Sequence, residues 1–224
     1  MNDLFATLGD IGLIPVLAVE RAEDAVPLAE ALQAGGLRAV EVTFRTGAAA
    51  RVLAAMAGVP GLLPGAGTIL TPDQVDQAVD LGARFGLAPG FNPRVAARAL
   101  DKKFPFIPGV LTPSEMGAAL DMGFTVQKFF PAESAGGAAY LKAVGAPLRG
   151  IRFVPTGGIT PESIPAYLAL PSVLCVGGSW MAAPKLVQDR NFAEITRLAQ
   201  AAVDIIRAHR PRRPGGGEGG GACR

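Results

Sequence analysis

Residues 104–131 read FPFIPGVLTPSEMGAALDMGFTVQKFFP and contain one complete unit of the pattern that decides the fold. Residues 104–107 and 125–129 are short runs of apolar and β-branched side chains, which are typical of buried strands. Between them, residues 112–122 have the composition of a helix and open with a Thr-Pro pair, which is a common helix start. A strand, a helix and a second strand in this order predict a parallel β-α-β unit.

The same alternation continues in both directions along the chain. Strands are predicted at residues 13–19, 37–43, 61–66, 85–88, 104–107, 125–129, 151–154 and 173–176. Helices are predicted at residues 23–33, 48–57, 71–81, 93–100, 112–122, 137–144, 160–168 and 191–208. Eight such units with short connections predict an α/β protein with a (β/α)8 TIM barrel. A doubly wound open sheet is the alternative, but it often has a glycine-rich turn after its first strand, and residues 19–21 contain no glycine.

The barrel is predicted to form a single domain over residues 1–208, followed by an Arg-, Gly- and Pro-rich tail over residues 209–224. The tail holds four of the 21 Lys and Arg but only one of the 19 Asp and Glu, so the predicted domain is nearly neutral. A tail of this composition cannot bury enough apolar surface to fold, and we expect it to be disordered. One short Arg cluster is weak support for nucleic-acid binding, so no nucleic-acid partner is expected.

Composition excludes several other classes of protein. With 224 residues, of which 50% are hydrophobic, the chain can form a full core and is not a disordered protein. Cys175 and Cys223 are too few for a disulfide framework, which favours a reducing compartment. The sequence has no uninterrupted apolar run of about 18 residues and no basic residue before its first apolar stretch. We therefore expect neither membrane association nor a signal peptide, and a cytoplasmic location.

The one histidine, His209, lies in the predicted tail. This excludes Ser-His-Asp and Cys-His triads as well as histidine-zinc sites. We expect no metal and no cofactor, and any chemistry must depend on Lys, Glu, Asp, Arg and hydroxyl groups. In a (β/α)8 barrel those groups should lie at the carboxyl ends of the strands.

Polar residues alternate with apolar ones in the second predicted strand. Because successive side chains of a strand point to opposite faces, Glu41, Thr43 and Arg45 share one face. The apolar residues between them can pack under the helices, which leaves the polar set pointing into the barrel mouth. An alternative is that Glu41 and Arg45 only form an ion pair with each other at the strand end.

Lys128 differs from the other four lysines of the chain. It lies near the end of the sixth predicted strand and is followed by two phenylalanines, whereas the others fall in polar loops or on a helix. Removal of water from an amine disfavours its charged form and favours the neutral, nucleophilic one. The alternatives are that Lys128 reaches the rim of the barrel or pairs with Glu133.

Glycine-rich turns follow the last two predicted strands, at residues 155–160 (PTGGIT) and 176–180 (VGGSW). One Gly-Gly pair is often only a turn, but the loops after strands seven and eight are the usual phosphate site of such barrels. Paired glycines there expose backbone N–H groups to an anion. Residues 65–68 (GAGT) would let a ligand approach the backbone, with Thr68 as a hydroxyl donor, and the turn at residues 88–92 (APGFN) includes Pro89.

These motifs together resemble those of the 2-keto-3-deoxy-6-phosphogluconate (KDPG) aldolase / 4-hydroxy-2-oxoglutarate (KHG) aldolase family. The matching segments are residues 41–46 (EVTFRT), 65–68 (GAGT), 128–133 (KFFPAE), 155–159 (PTGGI) and 177–180 (GGSW), in order and within residues 10–208. The resemblance implies a homotrimeric class I aldolase of the Entner–Doudoroff pathway that cleaves a phosphorylated keto acid to pyruvate and glyceraldehyde 3-phosphate. Related phosphogalactonate aldolases tend to lack the forms found at residues 129–133 (FFPAE) and 155–158 (PTGG), which favours the phosphogluconate substrate.

The resemblance also implies a role for each candidate residue. Lys128 would form the Schiff base, Glu41 would move protons, and Arg45 and Thr68 would hold the pyruvyl carboxylate. The other expected substrate-binding residues are Pro89, Thr156, Gly157, Gly158, Gly178 and Ser179, of which Gly157, Gly158, Gly178 and Ser179 would hold or adjoin the phosphate. The sequence departs from the family pattern at Ala88 and Asn92, where relatives often carry hydroxyl residues.

Three other functions are compatible with parts of this pattern. A KHG aldolase would share the Schiff base without needing the phosphate. A phosphate-binding barrel isomerase would use Lys128 only to pair with an anion and would form no imine. A non-catalytic barrel that serves as an assembly subunit is the third, although it would not require Glu41, Arg45 and Lys128 at the barrel mouth.

Overall fold

The computed structural model describes residues 2–209, and the predicted tail therefore lies outside the described residues except for His209. The strands are β1 Leu13–Leu17, β2 Ala39–Thr43, β3 Leu63–Gly67, β4 Phe85–Leu87, β5 Phe106–Ile107, β6 Gly109–Val110, β7 Val126–Phe129, β8 Arg152–Pro155 and β9 Val176–Gly178. The helices are α1 Asn2–Ile11, α2 Ala25–Ala34, α3 Ala49–Ala57, α4 Pro72–Asp80, α5 Pro93–Asp101, α6 Pro113–Asp121, α7 Gly137–Gly145, α8 Ile164–Leu168, α9 Pro184–Gln188 and α10 Phe192–His209. Short 3-10 helices occur at Ala22–Asp24, Glu133–Ala135 and Trp180–Ala182.

All strand pairs are parallel and form two sheets. A curled six-stranded sheet has the order β5-β4-β3-β2-β1-β9, and a three-stranded sheet has the order β6-β7-β8. Two isolated parallel bridges join the region of β8 to the region of β9. They pair Phe153 with Val173 and Thr156 with Gly177. The α/β class and the parallel pairing are thus confirmed, with helices between successive strands except between β5 and β6.

Pro108 separates two short strands, β5 and β6, where the sequence predicted a single strand that ends at residue 107. The chain pairs with β4 through β5 and with β7 through β6, so that the two halves belong to different sheets. Pro108 has no N–H and contributes only its carbonyl oxygen, which accepts from the Lys128 amide at 2.8 Å. The prediction of one strand over residues 104–107 was therefore wrong in extent. The predicted strand over residues 173–176 was also shifted, because Val173 forms only a bridge and β9 begins at Val176.

Two of the three Thr-Pro helix starts are confirmed as capping boxes. The Thr71 hydroxyl accepts from the Gln74 amide, and the Thr112 hydroxyl accepts from the Glu115 amide. In return, the side chains of Gln74 and Glu115 accept from the backbone amides of Thr71 and Thr112. The third predicted start, at Thr160, is wrong. Its amide donates to the Ser163 hydroxyl at 3.0 Å in a turn, and α8 begins four residues later at Ile164.

Helix α1 is the largest element that the sequence pattern did not predict. The apolar side chains of Leu4, Phe5, Leu8 and Ile11 pack against a buried cluster inside the curled sheets. The strand members of this cluster include Ala39, Phe85 and Val126, which are the first residues of β2, β4 and β7. Helix α1 therefore covers the amino-terminal ends of the strands and leaves the carboxyl ends as the accessible edge.

A second, larger core lies between the strands and the surrounding helices. Strand β2 shows the division, because Val40 and Val42 belong to this outer core whereas Ala39 belongs to the inner cluster. Helix α10 packs along α2, where the Thr196 hydroxyl donates to the Ala31 carbonyl at 2.9 Å. None of the helices described between residues 2 and 209 combines the length and the apolar character that a membrane crossing requires.

Candidate active site

Lys128 and Glu41 meet in the interior of the molecule. The Lys128 Nζ donates to Glu41 Oε1 at 2.9 Å and to Oε2 at 3.2 Å, and the two residues are only 4% and 1% exposed. Lys128 lies in β7 and Glu41 in β2, 87 positions apart in the sequence. A buried ion pair is costly to desolvate and to leave half-paired, so each group holds the other in place. The prediction that both side chains point inward is confirmed.

The structure also decides between the pairings that the sequence left open. Arg45 donates from Nε to the Thr43 hydroxyl at 3.1 Å, and Glu41 pairs with Lys128 instead of Arg45. Glu133 accepts from the Tyr167 hydroxyl at 2.8 Å, so its carboxylate is tied to α8 and Lys128 does not depend on it. Thr43 in turn donates to the Leu17 carbonyl at 2.7 Å, which fixes the hydroxyl that orients Arg45.

The ion pair lies above an apolar layer. Ala39 in β2 and Val126 in β7 each come two residues before a member of the pair and belong to the inner cluster under it. Because side chains alternate along a strand, the same inward face changes from apolar to charged toward the carboxyl end. On that side, the Lys128 ammonium lies 5.5 Å from the centre of the Phe130 ring, which is a cation–π distance. Phe130 is one of the two phenylalanines that follow Lys128 in the sequence and were expected to keep water from its amine.

The turn after β8 is held by two hydrogen bonds from the segment that follows β7. Gly157 and Gly158 have φ values of +101° and +80°, a region that favours glycine. The Ala132 amide donates to the Thr156 carbonyl at 2.8 Å, and the Glu133 amide donates to the Gly157 carbonyl at 3.0 Å. The 3-10 segment after β7 therefore lies directly against this turn.

Tyr167 extends the same support to helix α8. Its side chain is 1% exposed, and its hydroxyl donates to the Glu133 carboxylate. Burial and this carboxylate together raise the pKa of Tyr167 well above its usual value, so the hydroxyl remains a donor. No pattern in the sequence distinguished Tyr167, because its partner Glu133 is 34 positions away.

The remaining candidates lie in loops at the same edge. Thr68 directly follows β3 with a positive φ of 59°, Pro89 follows β4, and Ser179 follows β9 and is exposed. Gly178 lies under the Trp180 ring, which occupies the space that a side chain at position 178 would need. Gly178 therefore has a packing role in addition to its expected place beside the phosphate. Thr68, Pro89 and Ser179 thus lie on this edge. Among the described residues, none of the three forms a hydrogen bond to the side chain of Lys128 or Glu41.

The two departures from the family pattern have structural roles. Asn92 caps α5, since its Oδ1 accepts from the Arg94 amide at 3.0 Å. Ala88 is 3% exposed and its amide donates to the Ile107 carbonyl at 3.3 Å. Within residues 2–209, no group of three or more His, Cys, Asp or Glu side chains is arranged to hold a metal ion.

Comparisons with known proteins agree with this geometry. A family model described as KDPG and KHG aldolase matches residues 6–198. A 2-dehydro-3-deoxy-phosphogluconate aldolase of Treponema pallidum (strain Nichols) is 46% identical over 207 residues, which are 92% of this chain and 99% of that protein.

Two solved structures are also similar. The KDPG aldolase of Legionella pneumophila, with pyruvate captured at low pH as a covalent carbinolamine intermediate, is 40% identical with a TM-score of 0.86, covering 88% of this chain and 97% of that one. The corresponding aldolase of Zymomonas mobilis ZM4, with 3-phosphoglycerate, is 41% identical with a TM-score of 0.85, covering 92% and 98%.

Proposed function

The chain belongs to the KDPG and KHG aldolase family, and from that premise we propose that Lys128 is its imine-forming amine and Glu41 its proton carrier. The protein is a class I aldolase that cleaves 2-keto-3-deoxy-6-phosphogluconate to pyruvate and glyceraldehyde 3-phosphate. The observation that carries the assignment of residues is the buried contact of 2.9 Å between the Lys128 Nζ and the Glu41 carboxylate. The similar Legionella pneumophila enzyme, captured with a covalent pyruvate carbinolamine, supports the covalent route.

The contact gives a route for the first proton. The amine must be neutral to attack the C2 carbonyl of the keto acid, and Glu41 is in hydrogen-bond reach of the Lys128 proton that must leave. The amine attacks C2 as the C=O π bond breaks, and a proton moves from the nitrogen to the oxygen to give the carbinolamine. The proton that Glu41 took from Lys128 then joins the hydroxyl, which leaves as water and gives the iminium ion. Both steps use only side chains of this chain.

The iminium ion then accepts the electrons of the bond that breaks. A base removes the proton of the C4 hydroxyl, the C3–C4 bond breaks, and its electron pair forms the enamine while C4 leaves as the aldehyde. Protonation at C3 and addition of water release pyruvate and restore the amine. Glu41 is the carboxylate beside the imine nitrogen and serves these transfers directly or through a water molecule.

Arg45 and Thr68 would hold the substrate carboxylate. A guanidinium presents a planar pair of donors to a carboxylate, and the Thr43 hydroxyl holds Arg45 Nε at 3.1 Å. Thr68 lies at the end of β3, beside the β2 strand that carries Glu41. Pro89 would bound the same pocket from the turn after β4.

The phosphate would bind at the turns after β8 and β9. The candidates are Gly157, Gly158, Gly178 and Ser179, and the parallel bridge between Thr156 and Gly177 brings the two turns together. Exposed backbone N–H groups in glycine turns bind anions well. The similar Zymomonas mobilis structure with 3-phosphoglycerate supports phosphate recognition in this family.

We also propose that the two sheets close into an eight-stranded (β/α)8 barrel. β5 and β6 would count as one strand interrupted at Pro108, which links the sheets on one side. The bridges Phe153–Val173 and Thr156–Gly177 support closure on the other side. The single domain over residues 1–208 follows from this closure.

A homotrimer in the cytoplasm is the assembly and location that we propose. The family resemblance supports the trimer. The low cysteine content supports a reducing compartment. The phosphorylated keto acid is the proposed small-molecule partner.

A second candidate activity is the cleavage of KHG. The matching family model includes both activities, and the ion pair of Lys128 with Glu41 would serve either substrate. Rates on the two substrates separate them, because the phosphate turns contribute binding energy only to the phosphorylated one. A higher kcat/KM for KHG would reverse the order of the two activities.

Trapping with borohydride tests the covalent mechanism. Incubation with pyruvate and borohydride should add one reduced pyruvyl group, and peptide mapping should locate it on Lys128. Lys128→Arg keeps the charge but cannot form the imine, so it should lose labelling and cleavage. Lys142→Arg, at an exposed position on α7, is the matched control and should lose neither. Substrate turnover without a trapped adduct would contradict the class I mechanism and favour a non-covalent isomerase-type site.

A further inference from the structure

Gly67, the last residue of β3, lies against the side chain of Glu41. Its strand runs beside β2, with Gly67 opposite Thr43 and Gly65 opposite Glu41. A Cβ atom placed on residue 67 would be 2.5 Å from Glu41 Cγ and 2.7 Å from Cδ, and it would overlap Oε1. The carboxylate that contacts Lys128 therefore occupies the space that any side chain at position 67 would need.

The backbone at Gly67 does not itself demand glycine. Gly67 is not among the glycines with positive φ, so alanine could adopt its conformation. Nor can Glu41 simply move aside, because it is 1% exposed and its carboxylate is held by Lys128. What excludes a side chain at residue 67 is thus the position of one carboxylate.

We propose that Gly67 is a positioning residue for the aldol chemistry: the missing side chain provides the space in which the Glu41 carboxylate reaches the Lys128 amine. The inference rests on the proposed roles of Lys128 and Glu41. It assigns Gly67 a part in catalysis that is separate from letting a ligand approach the backbone. Its effect acts through Glu41, since Gly67 has no group that can move a proton.

Gly65 provides a matched comparison in the same strand. It lies two residues earlier on the same face, and a Cβ there would be 2.5 Å from Cζ of the Phe85 ring, in the apolar interior. Gly65→Ala should therefore lower stability by crowding Phe85, and any loss of kcat should multiply with that of Glu41→Gln because the atoms nearest to its methyl group belong to Phe85. Gly117, on α6 with open space around it, is the neutral control for a Gly→Ala change.

The test is a set of variants measured for kcat, KM, pyruvate trapping and thermal unfolding. Gly67→Ala should lower kcat on the order of 100-fold, as expected for a displaced proton carrier. In the Glu41→Gln background, Gly67→Ala should cost less than about threefold more, because the carboxylate on which it acts is already gone. Independent effects would instead multiply, and a multiplied loss would overturn the proposal.

Stability gives a second readout, because the crowding itself depends on the side chain at position 41. Gly67→Ala should lower the midpoint of thermal unfolding when Glu41 is present and much less in the Glu41→Ala background, since alanine lacks the Cγ, Cδ and Oε1 atoms that the new methyl group would meet. If Gly67→Ala does not fold, the Gly67→Ala, Glu41→Ala double variant should be at least as stable as Glu41→Ala. Equal losses of stability in the two backgrounds would overturn the proposal.

The wild-type control separates this inference from the proposed function. Wild-type protein that traps no pyruvate would contradict the covalent mechanism itself. Wild-type protein that traps pyruvate, together with a Gly67→Ala variant of unchanged kcat, would contradict only the role of Gly67.

Discussion

At the scale of the residue, the site depends on two charges that are buried together. Lys128 and Glu41 come from opposite parts of the chain, and each is nearly inaccessible to water. Removing one partner of such a pair leaves the other charge buried without compensation, which is strongly destabilising. Conservative substitutions that keep the shape are therefore the informative ones at these positions.

Glu41→Gln tests proton transfer with little change of shape. The amide oxygen can still accept from the Lys128 Nζ, but it cannot take up a proton. General acid–base catalysis typically contributes about 10²–10⁴-fold, so kcat should fall by that order while circular dichroism stays unchanged. Glu30→Gln, at an exposed position on α2, is the matched control and should keep the wild-type kcat. A loss of less than about tenfold would move the proton-transfer role to another group.

The inward orientation of these residues was predictable, but their packing was not. Alternation along β2 and the position of Lys128 near a strand end were sufficient to predict a shared mouth. The pairing itself depends on which strands face each other across the interior, and no local pattern records it. For the same reason the contact of Tyr167 with Glu133 and the crowding of Glu41 at Gly67 became visible only in three dimensions.

At the scale of the element, helix starts were predictable where the cap acts locally. The Thr-Pro starts at Thr71 and Thr112 need only the next three residues, and both form capping boxes. The start at Thr160 failed because Ser163 captures its amide in a turn. Helix α1 has no Thr-Pro start in the sequence, and its position depends on the open end of the sheets that it covers.

The segment Glu133–Ala135 and helix α8 act together on the turn after β8. Tyr167→Phe removes the hydroxyl that holds the Glu133 carboxylate, and the Glu133 amide is what binds the Gly157 carbonyl. A hydrogen bond to a charged group contributes about 1.5–3 kcal/mol of stability. Its loss would let the turn shift, and part of that free energy would be lost from the binding of the phosphate. We expect KM for the phosphorylated substrate to rise about threefold to tenfold, with pyruvate trapping unchanged.

Tyr140→Phe is the control for this prediction. Its hydroxyl also donates to an acceptor, the Leu111 carbonyl at 3.0 Å, which belongs to the loop after β6 and not to the turn after β8. Equal effects of both variants on KM would argue against a specific role of Tyr167.

Because the pKa of Tyr167 is raised by folding, its contribution to stability is complete below the usual tyrosine pKa of about 10 and declines as the pH rises beyond it.

At the scale of the whole molecule, stability and chemistry are placed at opposite ends of the sheets. The amino-terminal ends are filled by the inner cluster and covered by α1, whereas the ion pair and the glycine turns lie at the carboxyl ends. The parallel arrangement and the repeating units were predictable because each unit is local. The interruption at Pro108 and the exact start of β9 were not, since both depend on which neighbour each residue pairs with.

Leu8→Ala tests this division of roles. The Leu8 side chain is fully buried between α1 and the strands, and truncation of such a leucine typically costs about 2–5 kcal/mol of unfolding free energy. Chemical denaturation should show this loss, while kcat of the folded protein should stay within about twofold, since no atom near the ion pair changes. Leu100→Ala, at a position 44% exposed, is the control and should change stability little. A large loss of kcat in Leu8→Ala would mean that the two ends are coupled.

The burial of Lys128 with Glu41 has a consequence for how such a protein can change over generations. A single substitution that removes either charge leaves the other charge buried and unpaired. Selection for a stable fold therefore disfavours such a substitution. If the proposed substrate contacts hold, new preferences are more accessible through the exposed Ser179 and the half-buried Thr68 and Pro89, which lie outside the buried core. A mutant library aimed at altered specificity should diversify these rim positions and leave the two interior codons intact.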